Sequence, residues 1–272
     1  MYEINVPVMI DGKENVSRET VYEYDDFPWK NFEIIRTVKS RGNKNAPVYY
    51  NIPCAFDIET TTLQKVDCAH YNKTGEIRLK GESFMYQWQF CIKDCVIFGR
   101  TWEEFLCFCN AIHVYLKTDD LHRIVVYVHN LSYEFQFMKD FLELSEIFAK
   151  DAHKVMKCFC HRYGIEFRCS YFLSNMSLAK FCENSKGVTH YKLVNTYDYK
   201  KLRTPRTPLT ELEKGYCYND VRGLCGCIRD RMMDDNLAEI PLTSTGYVRR
   251  EFRVAMQADE NYYPYQFSEL RL

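Results

Sequence analysis

Two acidic residues, Asp57 and Glu59, end an apolar run over residues 52–56 that predicts a buried strand. Residues two apart on a strand point to the same face, so both carboxylates are expected on one side of a sheet. Carboxylates held that close repel each other unless a positive charge lies between them. Mg²⁺ and Mn²⁺ prefer such oxygen ligands, so the pair is a candidate half of a metal site. The alternative, from these two residues alone, is a solvated strand end with unrelated acids.

Two further stretches carry side chains of the same chemistry. Asn130 and Glu134 follow an apolar run over residues 124–128, whose β-branched residues predict the most clearly buried strand of the chain. Tyr216 and Asp220 lie four apart in a predicted long helix, so they share one helix face. A strand, a strand-to-helix turn and a helix are therefore expected to bring four acids and one tyrosine together.

A cluster of this kind supports phosphodiester hydrolysis with two divalent ions. Two such ions, about 3.5–4 Å apart, clamp the attacking and leaving oxygens of an in-line displacement. We expect Asp57 to bridge both ions. Glu59 and Asp220 are expected to complete the site of the ion that binds the nucleophilic water, and Glu134 to hold the other ion or its waters. Tyr216 is expected to orient the attacking water, because a phenol with a pKa near 10 is a poor base at neutral pH.

The elements that must position these residues alternate between strands and helices. The predicted strands are residues 54–59, 84–92, 95–98, 124–128, 155–161 and 165–170. The predicted helices are residues 101–116, 132–141, 177–182, 210–235 and 243–257. Capping boxes at Thr101 and Thr210 open two of them. This order predicts an α/β fold with a mixed central sheet flanked by helices, in which sites form at strand ends.

The composition bounds the class of protein. A chain of 272 residues with 46% hydrophobic residues suits one large domain or two small ones. The net charge is −1, so any nucleic-acid site needs a local basic patch. Residues 200–208 form one candidate, with a solvated loop as the alternative; Arg249, Arg250 and Arg253 form another.

The 13 cysteines include no C-x-x-C pair, which disfavours zinc and favours free thiols in a reducing cytoplasm. There is no secretory signal and no long apolar segment, so no membrane role is expected.

The three acidic stretches resemble the three motifs of 3′–5′ exonucleases with four carboxylates and a tyrosine, a class with a ribonuclease H-like fold. Residues 57–59 (Asp-Ile-Glu) are similar to the DxE motif and residues 130–134 (Asn-Leu-Ser-Tyr-Glu) to the Nx2–3[F/Y]D motif. Tyr216 and Asp220 are similar to the Yx3D motif. The motifs occur in the family's order over about residues 52–235. Within this class, the chain resembles the proofreading domain of protein-primed family B DNA polymerases of phages and linear plasmids.

The resemblance implies a proofreading exonuclease that uses two Mg²⁺ or Mn²⁺ ions. It would remove nucleotides from single-stranded or frayed DNA 3′ ends in a host cytoplasm. It also implies a set of contacts to the DNA strand. The positions that match the family's DNA ligands are Thr60, Asn130, Tyr133, Ser177, Leu178 and Tyr199. Asn and Ser are also favoured at helix N-caps, which is the alternative role for two of these positions.

The sequence departs from the family at three points. Glu134 replaces the usual aspartate, and its longer side chain is expected to reach a metal or its waters from a shifted backbone. The family's catalytic lysine is matched only by Lys192, whose offset from Asp198 and Tyr199 differs by about two residues. The family's polymerase motifs are absent from the sequence.

We therefore expect three regions. They are an N-terminal extension with short strands (1–50), an exonuclease domain (51–238) and a helical tail (239–272) that resembles the start of a polymerase palm. The chain is expected to be an excised domain or a split gene product, with a polymerase domain in the same or another polypeptide. Two alternatives stay open. One is a non-catalytic single-stranded nucleic-acid-binding module, and the other is a 3′–5′ exoribonuclease of the same superfamily.

Overall fold

The computed structural model describes residues 1–32, 35–40, 44–71, 77–151, 153–194 and 196–258, with the backbone alone at 64–71 and 77–80. The strands are β1 (Tyr2–Ile10), β2 (Lys13–Glu23), β3 (Thr37–Lys39), β4 (Val48–Tyr50), β5 (Cys54–Tyr71), β6 (Ile77–Ile92), β7 (Cys95–Gly99), β8 (His122–Val128), β9 (Leu144–Ala149), β10 (Val155–Cys160) and β11 (Ile165–Cys169). The helices are α1 (Trp102–Leu116), α2 (Leu131–Met138), α3 (Ser170–Ser174), α4 (Leu178–Asn184), α5 (Glu211–Asp234) and α6 (Ser244–Ala258).

One mixed sheet organises the molecule, with strands in the order β1-β2-β7-β6-β5-β8-β11-β10-β9. Strand β4 joins it through β8, and β3 pairs with β4. Strands β5, β8 and β11 run parallel to one another, so residues that follow these strands meet at one edge of the sheet. The predicted α/β fold, a ribonuclease H-like mixed sheet flanked by helices, is confirmed.

The sheet separates two hydrophobic cores, and β5 contributes to both by alternation. Phe56 and Ile58 lie in the core that α1 covers, whereas Ala55 lies in the core that α5 covers. Asp57 and Glu59 have the same parity as Ala55, so they face α5. The predicted capping box is present at the start of α5, where Thr210 accepts from the Glu213 backbone. A long helix with a fixed start therefore lies against the strand that carries two of the acids.

The N-terminal strands are longer than the sequence pattern indicated. Strands β1 and β2 have 9 and 11 residues, pair antiparallel, and extend the central sheet through parallel pairing of β2 with β7. The hairpin also contacts α5, since Asn219 donates to the Pro7 carbonyl at 2.9 Å and Tyr218 donates to Glu19 at 2.9 Å. One of the short strands expected in the N-terminal extension, at residues 32–35, includes residues 33–34, which lie outside the described residues; a 3-10 turn ends at Phe32.

Other elements differ from the predictions in extent. Strands β5 and β6 continue well past the predicted ends at Glu59 and Phe84 and pair with each other as far as Tyr71 and Ile77. Strand β9 and helix α3 were not predicted. Helix α6 matches its prediction, while residues 259–272 of the predicted tail lie outside the described residues. The divisions at residues 50 and 238 stay predictions.

The cysteines that the structure describes are free thiols, most of them buried. Within the described ranges, no helix combines the length and the apolar character needed to cross a membrane.

Candidate metal centre

Three of the four predicted acids converge where β5 meets α5. One ligand oxygen from each of Asp57, Glu59 and Asp220 lies within 4.8 Å of the others. Asp57 is half-buried, whereas Glu59 and Asp220 are 6% and 3% exposed. The predicted geometry of a strand pair and a helix residue thus brings these side chains to one point.

The clustering perturbs the acid–base behaviour of all three groups. Burial raises the pKa of Asp220 to about 7, against the opposing effect of Lys192. Burial, together with the charges of Asp57 and Asp220, raises the pKa of Glu59 well above its usual value. Burial also raises the pKa of Asp57, although Lys192 counteracts it. Carboxylates with raised pKa values in one buried cluster make a site that a cation would stabilise.

Glu134, the fourth predicted acid, lies beside Asp57 and outside the group of three. It is 3% exposed on the first turn of α2, and its carboxyl lies close enough to that of Asp57 for the Asp57 charge to affect its pKa. Burial first, and then the charge of Asp57, raise the pKa of Glu134 well above its usual value. Its Oε2 is buried and has no hydrogen-bond partner among the described residues. Asp57 therefore contacts the acids on both sides of it.

Lys192 reaches the same cluster despite its offset in sequence. Its Nζ donates hydrogen bonds to the Asp220 carboxylate and to the Tyr216 hydroxyl. It also lies 4.1 Å from the centre of the Tyr216 ring. Burial alone would lower the pKa of Lys192, but Asp220 and Asp57 raise it above its usual value, so the side chain stays cationic. The predicted lysine and tyrosine are thus joined to each other and to a predicted metal ligand.

Gln89 is a site residue that sequence reasoning missed. It is fully buried on β6, directly opposite Asp57 in the strand register, and its Nε2 donates to Asp57 Oδ2 at 2.7 Å. Gln89 lies within the predicted strand 84–92, but its pairing with Asp57 belongs to the register between β5 and β6, and both of these strands run well past their predicted ends. No sequence signal therefore identified this residue.

Three of the predicted DNA-contacting residues line the rim of the acidic cluster. The Thr60 and Tyr133 hydroxyls are hydrogen-bonded to each other across β5 and α2. Tyr199 is 67% exposed, and its hydroxyl lies 2.5 Å from that of Tyr216. Exposed aromatic and hydroxyl groups beside buried acids form a surface on which a flat ligand could stack.

The two residues that could cap a helix, Asn130 and Ser177, have different roles in the structure. Asn130 precedes α2 with φ 71°, a left-handed conformation that asparagine tolerates, and its exposed side chain makes no capping hydrogen bond. Ser177 does cap α4, because its hydroxyl accepts from the Lys180 backbone at 3.4 Å. Leu178 is 7% exposed and packs in the core beneath α5. The side chain of Asn130 is therefore available at the rim, whereas Ser177 and Leu178 have structural partners.

The basic segment over residues 200–208 is only partly a solvated loop. Lys200 and Arg206 are exposed, as the prediction of an extended basic loop requires. Arg203 differs: it is 2% exposed and its guanidinium pairs with Glu213. A buried arginine needs an acidic partner, and no sequence pattern indicated that Glu213 would be that partner as well as capping α5.

The fold and the acidic cluster define an α/β protein of the ribonuclease H-like type with a candidate site for divalent cations. No protein-family model matches the sequence, and no curated protein matches it.

Among solved structures, the chain is similar to Phi29 DNA polymerase complexed with primer-template DNA, with a TM-score of 0.55, 14% identity, and coverage of 76% of this chain and 36% of that chain. It is also similar to Phi29 DNA polymerase complexed with single-stranded DNA, with a TM-score of 0.52, 13% identity and the same 76% and 36% coverage. The chain spans about a third of the length of those polymerase chains, and at this identity the likeness establishes the fold alone.

Proposed function

We propose that this chain is a two-metal-dependent 3′–5′ exonuclease of the proofreading type, which hydrolyses single-stranded or frayed DNA 3′ ends to mononucleotides. The observation that carries the proposal is the buried group of Asp57, Glu59 and Asp220, whose oxygens lie within 4.8 Å of one another. The similarity in fold to a DNA polymerase complexed with single-stranded DNA supports it. We further propose that the chain functions with a polymerase domain in the same or another polypeptide.

The residues present fit Mg²⁺ or Mn²⁺. The donors are carboxylate oxygens, which these hard cations prefer. Asp220 Oδ1 and Glu134 Oε2 are buried without a hydrogen-bond partner in the described part of the chain, as expected for oxygens that await a ligand. Asp57, Glu59 and Asp220 would hold one ion, and Asp57 with Glu134 the other. Bound ions would neutralise the acids and act as Lewis acids on the scissile phosphate.

The chain's own groups orient the reaction around those ions. The Tyr216 hydroxyl accepts a hydrogen bond from Lys192 and lies 2.5 Å from the Tyr199 hydroxyl, so it is held beside Asp220, where it would orient the attacking water. Lys192 keeps its positive charge beside Asp220 and would stabilise negative charge that develops on the phosphate. Gln89 fixes the Asp57 carboxylate through its 2.7 Å hydrogen bond, so that its oxygens keep one orientation.

The rim of the site would hold the 3′-terminal nucleotides. Tyr133 is 43% exposed and Tyr199 67% exposed, and base–aromatic stacking tolerates any base sequence. Thr60 and Asn130 place a hydroxyl and an amide beside these rings, where they could bond to sugar and phosphate oxygens. Binding that depends on stacking suits an enzyme that acts on unpaired ends.

A nuclease time course on 5′-labelled single-stranded DNA tests the proposal. We expect a ladder that descends one nucleotide at a time with Mg²⁺ or Mn²⁺, and no cleavage with EDTA. Asp57→Ala should abolish the ladder, because it removes the carboxylate that contacts the acids on both sides. Asp140→Asn, at an exposed acid beyond α2, is the matched control and should cleave like the wild type. An Asp57→Ala protein that degrades DNA at the wild-type rate would refute the assignment.

The same assay separates the two alternatives. An exoribonuclease would degrade a matched RNA oligonucleotide faster than the DNA. A non-catalytic binding module would retain the oligonucleotide equally with EDTA or Mg²⁺ and would cleave neither strand.

A further inference from the structure

A segment next to the proposed site, residues 198–207, connects the site tyrosines to the start of α5, and we refer to it as the strap. It contains Arg203, whose side chain is 2% exposed although its neighbours Leu202 and Thr204 are exposed. Arginine is almost never fully buried unless its charge is paired. The strap is therefore built around an internal cation.

Arg203 holds three parts of the protein together, two through its guanidinium and one through its backbone. Its Nη1 donates to the carbonyls of Asp198 at 2.7 Å and Lys201 at 3.0 Å, which closes the strap on itself. Its Nε and Nη2 donate to Glu213 Oε1 at 3.0 and 2.5 Å, which ties the strap to the start of α5. Its backbone N–H donates to the Thr61 hydroxyl on β5 at 3.4 Å. Arg203 thus links the strap to α5 through its side chain and to β5 through its backbone, and these two elements carry Asp57, Glu59 and Asp220.

The same guanidinium supports the tyrosines at the site. It lies 4.6 Å from the ring centre of Tyr197, and the Tyr197 ring lies 4.5 Å from that of Tyr216. Tyr197 also contacts Tyr199, with ring centres 5.3 Å apart, and the Tyr199 hydroxyl contacts that of Tyr216. A continuous row of contacts therefore runs from Arg203 to the Tyr216 hydroxyl.

The other half of the strap is held by a second arginine. Arg100, beyond the end of β7, donates through Nη2 to the carbonyls of Thr204 at 3.0 Å and Thr207 at 2.7 Å. Strap carbonyls that precede Arg203 in sequence therefore accept hydrogen bonds from the Arg203 guanidinium, and those that follow it accept from the Arg100 guanidinium. Such a segment has a fixed backbone, unlike a solvated basic loop.

We infer that Arg203 is a positioning residue, which holds the strap so that Tyr197 and Tyr199 fix the Tyr216 hydroxyl beside the carboxylates. The effect on catalysis rests on the proposed exonuclease function, whereas the effect on the strap does not. Arg203 is buried, and four of its five guanidinium N–H groups donate to protein acceptors, so we assign it no role as a phosphate ligand. Lys200 and Arg206 are the exposed cations of the strap that remain for that role.

Limited proteolysis tests the strap without reference to any activity. Lys200, Lys201 and Arg206 offer trypsin sites that the folded strap protects. Arg203→Met should speed cleavage after Lys200 and Lys201 by about tenfold or more, because cleavage tracks the population of the open segment. Arg206→Met is the control and should leave those cleavage rates at the wild-type level. Equal rates in wild type and Arg203→Met would overturn the inference.

Arg203→Lys is a second, more conservative variant, which tests the inference even if Arg203→Met fails to fold. Lysine keeps a charge near Glu213 and Tyr197 but cannot reach all the carbonyl acceptors, so the cleavage rate should fall between wild type and Arg203→Met. Cooperative thermal unfolding establishes that each variant is folded before its strap is assayed. A cleavage rate in folded Arg203→Lys equal to that of wild type would also overturn the inference.

Single-turnover and steady-state kinetics on single-stranded DNA test the catalytic part. In Arg203→Met, a displacement of the Tyr216 hydroxyl by about 1 Å should lower kcat by about 100-fold relative to wild type. The KM for DNA should change by less than about threefold. A raised KM with unchanged kcat would instead identify Arg203 as a strand contact and refute the positioning role. If the wild type itself lacks nuclease activity, the proposed function fails, and the proteolysis result still decides whether Arg203 holds the strap.

Discussion

Replacing Asp220 by asparagine should stabilise the metal-free protein while removing its response to metal. Asp220 is 3% exposed, and burial raises its pKa from 3.8 to about 7 even though Lys192 opposes the rise. The ionised carboxylate is therefore disfavoured in the folded state, and the protein bears that cost at neutral pH when no cation is bound. Asparagine has nearly the same shape without the charge.

The magnitude follows from the size of the pKa shift. A rise from 3.8 to about 7 corresponds to about 4 kcal/mol, at about 1.36 kcal/mol per pKa unit. Below about pH 4 the carboxyl is mostly protonated in both folded and unfolded states, so the cost nearly vanishes. It grows as the pH rises towards about 7 and is complete above that value. The free energy of unfolding of Asp220→Asn should exceed that of wild type by up to about 4 kcal/mol at about pH 8, and by less than about 1 kcal/mol at about pH 4.

Urea unfolding with EDTA at these two pH values measures the difference. With Mn²⁺ at about 100 times its dissociation constant, the wild type should gain about 2.7 kcal/mol, and Asp220→Asn should gain far less. Asp140→Asn, at an exposed acid, should behave like wild type throughout. If Asp220→Asn were less stable than wild type at about pH 8 in EDTA, the ion pair with Lys192 would outweigh the cost of burying Asp220, and the reasoning would be wrong.

Two other substitutions have defined outcomes. Lys192→Met should lower the single-turnover cleavage rate by about 100-fold or more, because Tyr216 and Asp220 lose their shared cation; a rate within about threefold of wild type would contradict that role. Burial alone would raise the pKa of Glu213, but the Thr210 backbone N–H and Arg203 lower it to about 2. In urea unfolding at about pH 6, the free energy of unfolding of wild type should exceed that of Glu213→Gln by about 3 kcal/mol. At about pH 3 this difference should fall by more than half, because the Glu213 carboxylate becomes protonated in the unfolded state. A difference that does not change with pH would contradict the prediction.

The parts of the site that sequence could predict are those set by local geometry. Asp57 and Glu59 share a face because strands have a period of two, and Tyr216 and Asp220 share one because helices repeat every 3.6 residues. The capping box at Thr210 fixed the start of α5 in advance. These rules depend only on the element type, so they hold once the element is identified.

The parts that sequence could not predict depend on which elements meet. Lys192 lies in an irregular segment between α4 and α5, where no periodicity says which way a side chain points. Arg203 looked like a surface cation, because its burial depends on Glu213 and the carbonyls of its own strap. In the N-terminal hairpin, the alternation of Ile4, Val6 and Val8 was readable, but the polar Asn5 and the strand-disfavouring Pro7 lie between them, and only short strands were expected there.

The position of Glu134 bears on how a longer acid can serve where aspartate is usual. The group of three oxygens within 4.8 Å excludes Glu134, whose carboxyl instead lies beside that of Asp57. Burial and the charge of Asp57 raise the pKa of Glu134, so ionisation of both carboxyls together is disfavoured. A cation between them would relieve that repulsion. Asp57 then belongs to both halves of the proposed site, which explains why Gln89 is needed to fix its orientation.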